Sequence, residues 1–163
     1  AALTAKLTVE WTPPSDGPER PCVRVLRADG TDTGIAFHGV PGGHEFNSFV
    51  VGLYNAAGPG QSIDPALAEA IAAIDRPLDL QIVVALSCTM CPELVIAAQK
   101  IAASNPLVTA KVYDVNHFPE LRERYKIMSV PCLIINKAQV AFGKKTLGQL
   151  LELLAEPEAG QTG

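Results

Sequence analysis

Two rhythms of hydrophobic and polar positions run through this chain, a step of two and a step of three to four, and the switches between them outline its elements. Leu7-Thr8-Val9-Glu10-Trp11 alternates residue by residue and predicts a half-buried strand, followed by a proline-rich loop over residues 12–21. Residues 22–27 and 34–38 flank Asp29-Gly30, a dipeptide that favours a tight reversal, and so predict a β-hairpin. Over residues 44–57 the rhythm changes: Phe46, Phe49, Val50, Leu53 and Tyr54 recur at helical steps until Gly58-Pro59-Gly60 stops them. Asp64-Pro65 then offers an N-cap with proline in the first turn, opening a helix to about residue 75 with Leu67, Ile71 and Ile74 on one side.

The second half is more regular. Residues 80–87 form a nearly continuous apolar run, as in a strand covered on both faces, and a helical pattern follows over about 89–103. Residues 108–115 predict the next strand, and Asn116 is expected to cap a short helix ending at Tyr125. Residues 132–136 and 139–142 predict a second hairpin, and Thr146-Leu147-Gly148-Gln149 reads as a capping box for a last helix. From residue 79 the order is therefore βαβαββα. The first half echoes its end: Pro21-Cys22, a strand, Ala36-Phe37, a glycine and a helix parallel Pro131-Cys132, a strand, Ala141-Phe142-Gly143 and a helix.

Composition narrows the function classes. A chain of 163 residues and 17.2 kDa holds one ordinary domain or two small ones, too little for a complete pyridine-nucleotide flavoenzyme. Hydrophobic residues make up 48% of it and charged residues 18%, enough for a continuous aliphatic core. The net charge is −4 with no basic block, so nucleic acid is not an expected partner. The acidity belongs to residues 1–75, with four basic and nine acidic side chains. No apolar run approaches the roughly 20 residues of a membrane span, and residues 1–10 lack the pattern of a signal peptide. A cytoplasmic location away from membranes is expected.

The candidate chemistry lies in Ser87-Cys88-Thr89-Met90-Cys91-Pro92, a CxxC between a strand and a helix. At a helix start, unpaired N–H groups and the positive end of the dipole favour thiolate, which makes Cys88 the candidate nucleophile. Cys91, about a turn further on, is the candidate resolving thiol, and Pro92 suits an early helical position. CxxC at the end of the first strand and Val130-Pro131 before the third describe a thioredoxin fold. There Pro131 is expected to be cis beside the dithiol, with the backbone of Val130 offered to an incoming extended peptide. Cys132 and Cys22 read as small buried residues, with a third redox thiol as the sharper reading of Cys132. A zinc site would need two further ligands, and only Cys22, Cys132, His38, His44 and His117 are on offer, none of them close-spaced.

Gly43-His44-Glu45-Phe46-Asn47-Ser48-Phe49, placed upstream of Leu86-Ser87-Cys88-Thr89-Met90-Cys91-Pro92 and Val130-Pro131, resembles the N-terminal domain of the flavoprotein subunit of alkyl hydroperoxide reductase. The similarity runs from about Ala36 to Ala155 and takes in Asn105-Pro106 and the Thr146-Leu147 helix. Similar domains occur in thioredoxin reductase-like proteins. The resemblance implies an α/β protein of two fused thioredoxin-like folds, the first partial and without CxxC, the second βαβαββα with CxxC. Expected divisions are a partial unit over 1–62, a linking helix over 63–78, a redox-active, glutaredoxin-like unit over 79–155 and a linker over 156–163. In that family the glutamate matching Glu45 lies near the dithiol, which implies a carboxylate that raises the cysteine pKa values or exchanges a proton with them, with His44 holding or tuning it. The competing reading of both residues is the first turn of a helix, where glutamate suits the dipole.

The implied function is thiol-disulfide exchange, carrying electrons from a thioredoxin reductase-like flavoprotein body to the disulfide of a peroxiredoxin. FAD and NAD(P)H are expected in that attached or partner flavoprotein, and no cofactor or metal in this domain. The alternatives are a free-standing glutaredoxin-like protein disulfide oxidoreductase and a zinc-bound or docking module. The family's first unit begins with a strand and a helix for which there is no room before Leu7. The chain is therefore expected to be part of a longer polypeptide, with residues 1–6 ending the lost helix and residues 156–163 leading to a flavin domain.

Overall fold

Each strand of the second half pairs where its apolar run predicts. The computed structural model describes residues 7–13, 17 and 19–157. Among them are strands β1 (Cys22–Leu26), β2 (Asp32–His38), β3 (Leu78–Val84), β4 (Val108–Asp114), β5 (Cys132–Ile135) and β6 (Gln139–Phe142). The helices are α1 (Glu45–Ala57), α2 (Pro65–Ala72), α3 (Cys91–Ser104), α4 (Glu120–Arg124) and α5 (Leu147–Ala155). All six strands form a single sheet in the order β1-β2-β4-β3-β5-β6. β3 lies in its middle, parallel to β4 and antiparallel to β5, with Ile82 opposite Val112 on one side and Leu133 on the other.

The two halves meet where β2 runs parallel to β4, Phe37 opposite Val112. The outer hairpins repeat one another. Cys22 heads β1 and Cys132 heads β5, each after a cis X-Pro bond. Gly39 N–H donates to the Pro21 carbonyl at 2.7 Å, and Gly143 N–H to the Pro131 carbonyl at 3.0 Å. This mixed α/β sheet with its helices is a thioredoxin-like fold.

Side chains alternate across the sheet as its pleat requires. Leu80, Ile82 and Val84 face a core shared with Leu94, Val95, Ile101, Leu150 and Leu154, beneath α3 and α5. Val83, Tyr113, Cys132 and Ile134 face the opposite way, against Phe118, Leu121 and Ile127. α2 starts on the Asp64 cap, whose carboxylate accepts the Ala66 N–H, and the Thr146–Gln149 capping box is complete.

Three local expectations are corrected. Residues 7–13 join no strand and are exposed throughout, because alternation prescribes a pleat but supplies neither an edge to pair with nor a layer to cover Leu7, Val9 and Trp11. α4 is not capped by Asn116. Asp114 accepts the Asn116 N–H on its side chain and the His117 and Phe118 N–H groups on its carbonyl, and helix begins only after Pro119, which disfavours helical geometry at the residue before it. The side of α1 that is buried is not the apolar one. Glu45, Ser48, Gly52, Asn55 and Ala56 are inside, Phe49 and Leu53 are half-buried, and Phe46, Val50 and Tyr54 are exposed. The expectations for residues 1–6 and 158–163 lie outside the described residues.

Candidate functional site

The dithiol spans the junction of a short loop, residues 85–90, and α3: Cys88 lies in the loop and Cys91 opens the helix. The Cys88 N–H donates to the Ala85 carbonyl at 2.9 Å, turning the chain so that α3 starts at Cys91, two residues later than its pattern predicts. Pro92 follows in the first turn, where no helical donor is lost. All four cysteines are free thiols.

The two sulfurs occupy different surroundings. Cys88 is half-buried, and its thiol points to the Val130 carbonyl at 4.0 Å. Cys91 has no exposed surface. Burial, contact with Cys88 and the charge of Glu45 all push its thiol pKa far above the ordinary range, against a backbone bond at Ala85 that lowers it. Ser87, Thr89 and Met90 are exposed around them.

Glu45 enters from α1. Its helix is fastened to the dithiol loop because the His44 N–H donates to the Leu86 carbonyl at 2.9 Å. Gly43 allows the approach: it has φ +54°, and a Cβ there would lie 2.3 Å from the Leu86 oxygen. The His44 side chain is exposed and caps nothing, so its contact with the site runs through the backbone. Glu45 is wholly buried, and burial raises its pKa from 4.5 to about 7. The Ser48 hydroxyl, one turn on, offsets this in part, although no hydrogen bond of good geometry joins the two.

Val130 lies just ahead of β5 outside any ladder, and the Val130–Pro131 bond is cis, as its position predicts. Cys132 is fully buried in the second core, where burial pushes its thiol up to about 11. Cys22 lies 3.9 Å from His38 Nε2, while His38 Nδ1 lies 2.7 Å from the Glu19 carbonyl. That carbonyl only accepts, so Nδ1 carries the proton and Nε2 receives the Cys22 thiol. Burial raises the Cys22 pKa and lowers that of His38, which keeps the pair neutral. Among the described residues no group of three or more His, Cys, Asp or Glu side chains could hold a metal. No described helix is long and apolar enough to cross a membrane.

The residues that pattern alone did not single out are Ser48, Gly52 and Gln99. They are buried between α1 and α3, and the three- and four-residue steps from Glu45 to Ser48, Gly52 and Asn55 were the available signal.

Residues 78–155 match a family described as a thioredoxin domain. The chain is 33% identical, over 97% of its own length and 29% of the relative's, to the F subunit of alkyl hydroperoxide reductase from Pseudomonas aeruginosa. It is similar to an NADH dehydrogenase of Bacillus subtilis, 29% identical over 93% of this chain and 29% of that one. The chain thus spans under a third of the curated relatives it matches. Among solved structures, the F subunit of alkyl hydroperoxide reductase from Enterococcus faecalis superposes with a TM-score of 0.81 and 44% identity, covering 84% of this chain and 65% of that one.

Proposed function

Because the chain belongs to the thioredoxin-fold family of the N-terminal domain of the alkyl hydroperoxide reductase F subunit, we propose that it is a dithiol-disulfide oxidoreductase module in an electron relay. The observation that carries this reading is the asymmetry of the dithiol: one sulfur half-buried beside the Val130 carbonyl, the other fully buried and under the influence of the Glu45 charge.

Reduced Cys88 attacks a partner disulfide, forming a mixed disulfide and releasing one partner thiol. Cys91 gives its proton to Glu45 and attacks the Cys88 sulfur, which forms the Cys88–Cys91 bridge and releases the second partner thiol. Two electrons pass to the partner. A flavoprotein dithiol then reduces the bridge. The Val130 backbone and Pro131 are the element against which the partner lies. The exposed side chains of Met90 and Met128 offer adaptable apolar contact.

In this reading residues 79–155 are the redox unit, 63–78 the link, 1–62 a partial first unit and 156–163 a linker. The electron donor is a thioredoxin reductase-like flavoprotein carrying FAD and using NAD(P)H, and the acceptor is a peroxiredoxin, in the cytoplasm. The test is trapping. Cys91→Ser should accumulate a mixed disulfide with an oxidised peroxiredoxin, and Cys88→Ser should accumulate none. The reverse pattern would exchange the two roles, and absence of trapping by either variant would sink the reading.

A further inference from the structure

Two hairpins followed by helices, β1-β2-α1 and β5-β6-α5, flank the sheet, and only the second is covered on its inner edge. β5 pairs there with β3, antiparallel, and α3, which follows β3, lies against α5. β1, the counterpart of β5, ends the sheet. Three bonds show which of its backbone groups face β2. The Pro21 carbonyl accepts the Gly39 N–H at 2.7 Å, the Val25 carbonyl accepts the Thr33 hydroxyl at 2.7 Å, and the Arg27 N–H donates to the Thr31 carbonyl at 2.8 Å. By the alternation of a strand, the N–H and C=O groups of Cys22, Arg24 and Leu26 point the other way, and among the described residues no strand pairs with them.

The helix above this edge is open on the same flank. Phe46, Val50 and Tyr54 follow one another at four-residue steps and are exposed, Phe46 by 59%. At 3.6 residues per turn they lie nearly opposite Gly52, which packs on Gln99 of α3. They therefore point away from α3 and out over the edge of β1. No charge lies among them: Glu45 is the sole charged residue of α1, and it is buried. A helix side of this kind is an interface rather than a solvated surface. β1 likewise contains neither lysine nor proline, the residues that commonly guard a free edge.

We propose that a second copy of this chain closes the flank: β1 pairs antiparallel with β1 of the copy about a twofold axis at Arg24, and the two α1 helices pack along Phe46, Val50 and Tyr54. The copy supplies what β3 and α3 supply to the other hairpin, an antiparallel strand and a helix on the same side of the sheet. The axis stands perpendicular to the sheet, so both α1 helices stay on one side and the contact is self-complementary. The spacing agrees. α1 rests on both β1 and β2, which sets its axis about 2.4 Å inside β1, half the distance between strands. With about 4.8 Å between the two β1 strands, the helices come to about 10 Å apart, a separation at which helices pack.

Around the axis the outward backbone groups meet as bonded pairs, Cys22 opposite Leu26 of the copy and Arg24 opposite Arg24. Charge does not oppose the contact. Each Arg24 is paired with Asp32 of its own chain, and the helix sides that meet carry none. Residues 7–13 are exposed throughout and form no ladder with β1, so the edge is unoccupied by the chain's own described residues.

The experiment is sedimentation velocity of the full chain under reducing conditions from about 1 μM to about 1 mM, the range of weak protein pairs. The parent is expected to pass from monomer to dimer within it. Val50→Lys, on the exposed stripe, is expected to weaken the dimer by about tenfold or more, because it brings two ammonium groups together across the axis. Circular dichroism at the lowest concentration should match the parent's. Leu26→Cys, in a Cys88→Ser, Cys91→Ser background that cannot reshuffle bonds, reads the register. On mild oxidation a disulfide is expected between position 22 of one copy and position 26 of the other, since bonded pairs hold their Cα atoms about 5.5 Å apart, within disulfide reach. A chain that stays monomeric over the whole range overturns the proposal and leaves the flank to a segment of a longer polypeptide. A dimer that resists Val50→Lys, or that forms no 22–26 bond, joins by another face and overturns it as well. Neither readout uses the dithiol, so either result leaves the redox reading untouched.

Discussion

The backbone N–H of His44 lies 2.9 Å from the carbonyl of Leu86, so the first turn of α1 and the loop carrying the dithiol are held by one hydrogen bond. That bond ties the position of Glu45 to that of Cys88 and Cys91 across more than forty residues of chain, and it exists only because Gly43 has no side chain.

Gly43→Ala is therefore expected to destabilise the fold by about 1–3 kcal/mol, through the strain of a left-handed residue and a clash with backbone that cannot swing away. Urea unfolding measures the loss. A midpoint equal to the parent's would mean that the two segments part without cost.

The elevated Glu45 pKa makes stability pH-dependent. The folded carboxyl titrates near 7 and the unfolded one near 4.5. Between these values the folded state holds the extra proton, so its contribution is intact below about pH 4.5, declines as pH rises and is gone above about 7. Glu45→Gln should flatten this slope and stabilise the protein at pH 8 by roughly 3 kcal/mol, at about 1.4 kcal/mol for each tenfold difference in proton affinity between the folded and unfolded carboxyl. It should also lower the Cys91 pKa by removing a neighbouring negative charge. Denaturation curves at several pH values and titration of the thiolate ultraviolet absorbance test the two effects, and parallel denaturation curves for parent and variant would contradict the assignment.

The thiols should alkylate in a fixed order. Cys88 comes first, Cys22 follows slowly as a half-buried thiol held by His38, and Cys91 and Cys132 wait for unfolding. Peptide mapping after timed exposure to iodoacetamide reads the order. Early labelling of Cys132 would restore it as a redox candidate.

Thr146→Ala removes the side chain that accepts the Gln149 N–H and should cost about 1 kcal/mol, as N-cap losses do. Thermal unfolding measures it, and activity should be unaffected at temperatures below the transition.

What the sequence by itself determined is what local rules govern. The βαβαββα order, the CxxC ahead of a helix, the Asp64 cap and the Thr146–Gln149 box follow from periodicity and backbone hydrogen bonding, and each stands within a few residues of where it is predicted. The tertiary structure decided which side of an element is covered. An alternating run such as Leu7–Trp11 or an apolar stripe such as Phe46, Val50 and Tyr54 states a preference for burial, yet burial needs a second surface, and that surface comes from distant parts of the chain. On α1 the close approaches of Gly43 to Leu86 and of Gly52 to Gln99 fix the helix with its polar side inward. Glu45 is thereby buried where its charge acts on a thiol 46 residues away, and no local pattern encodes that relation.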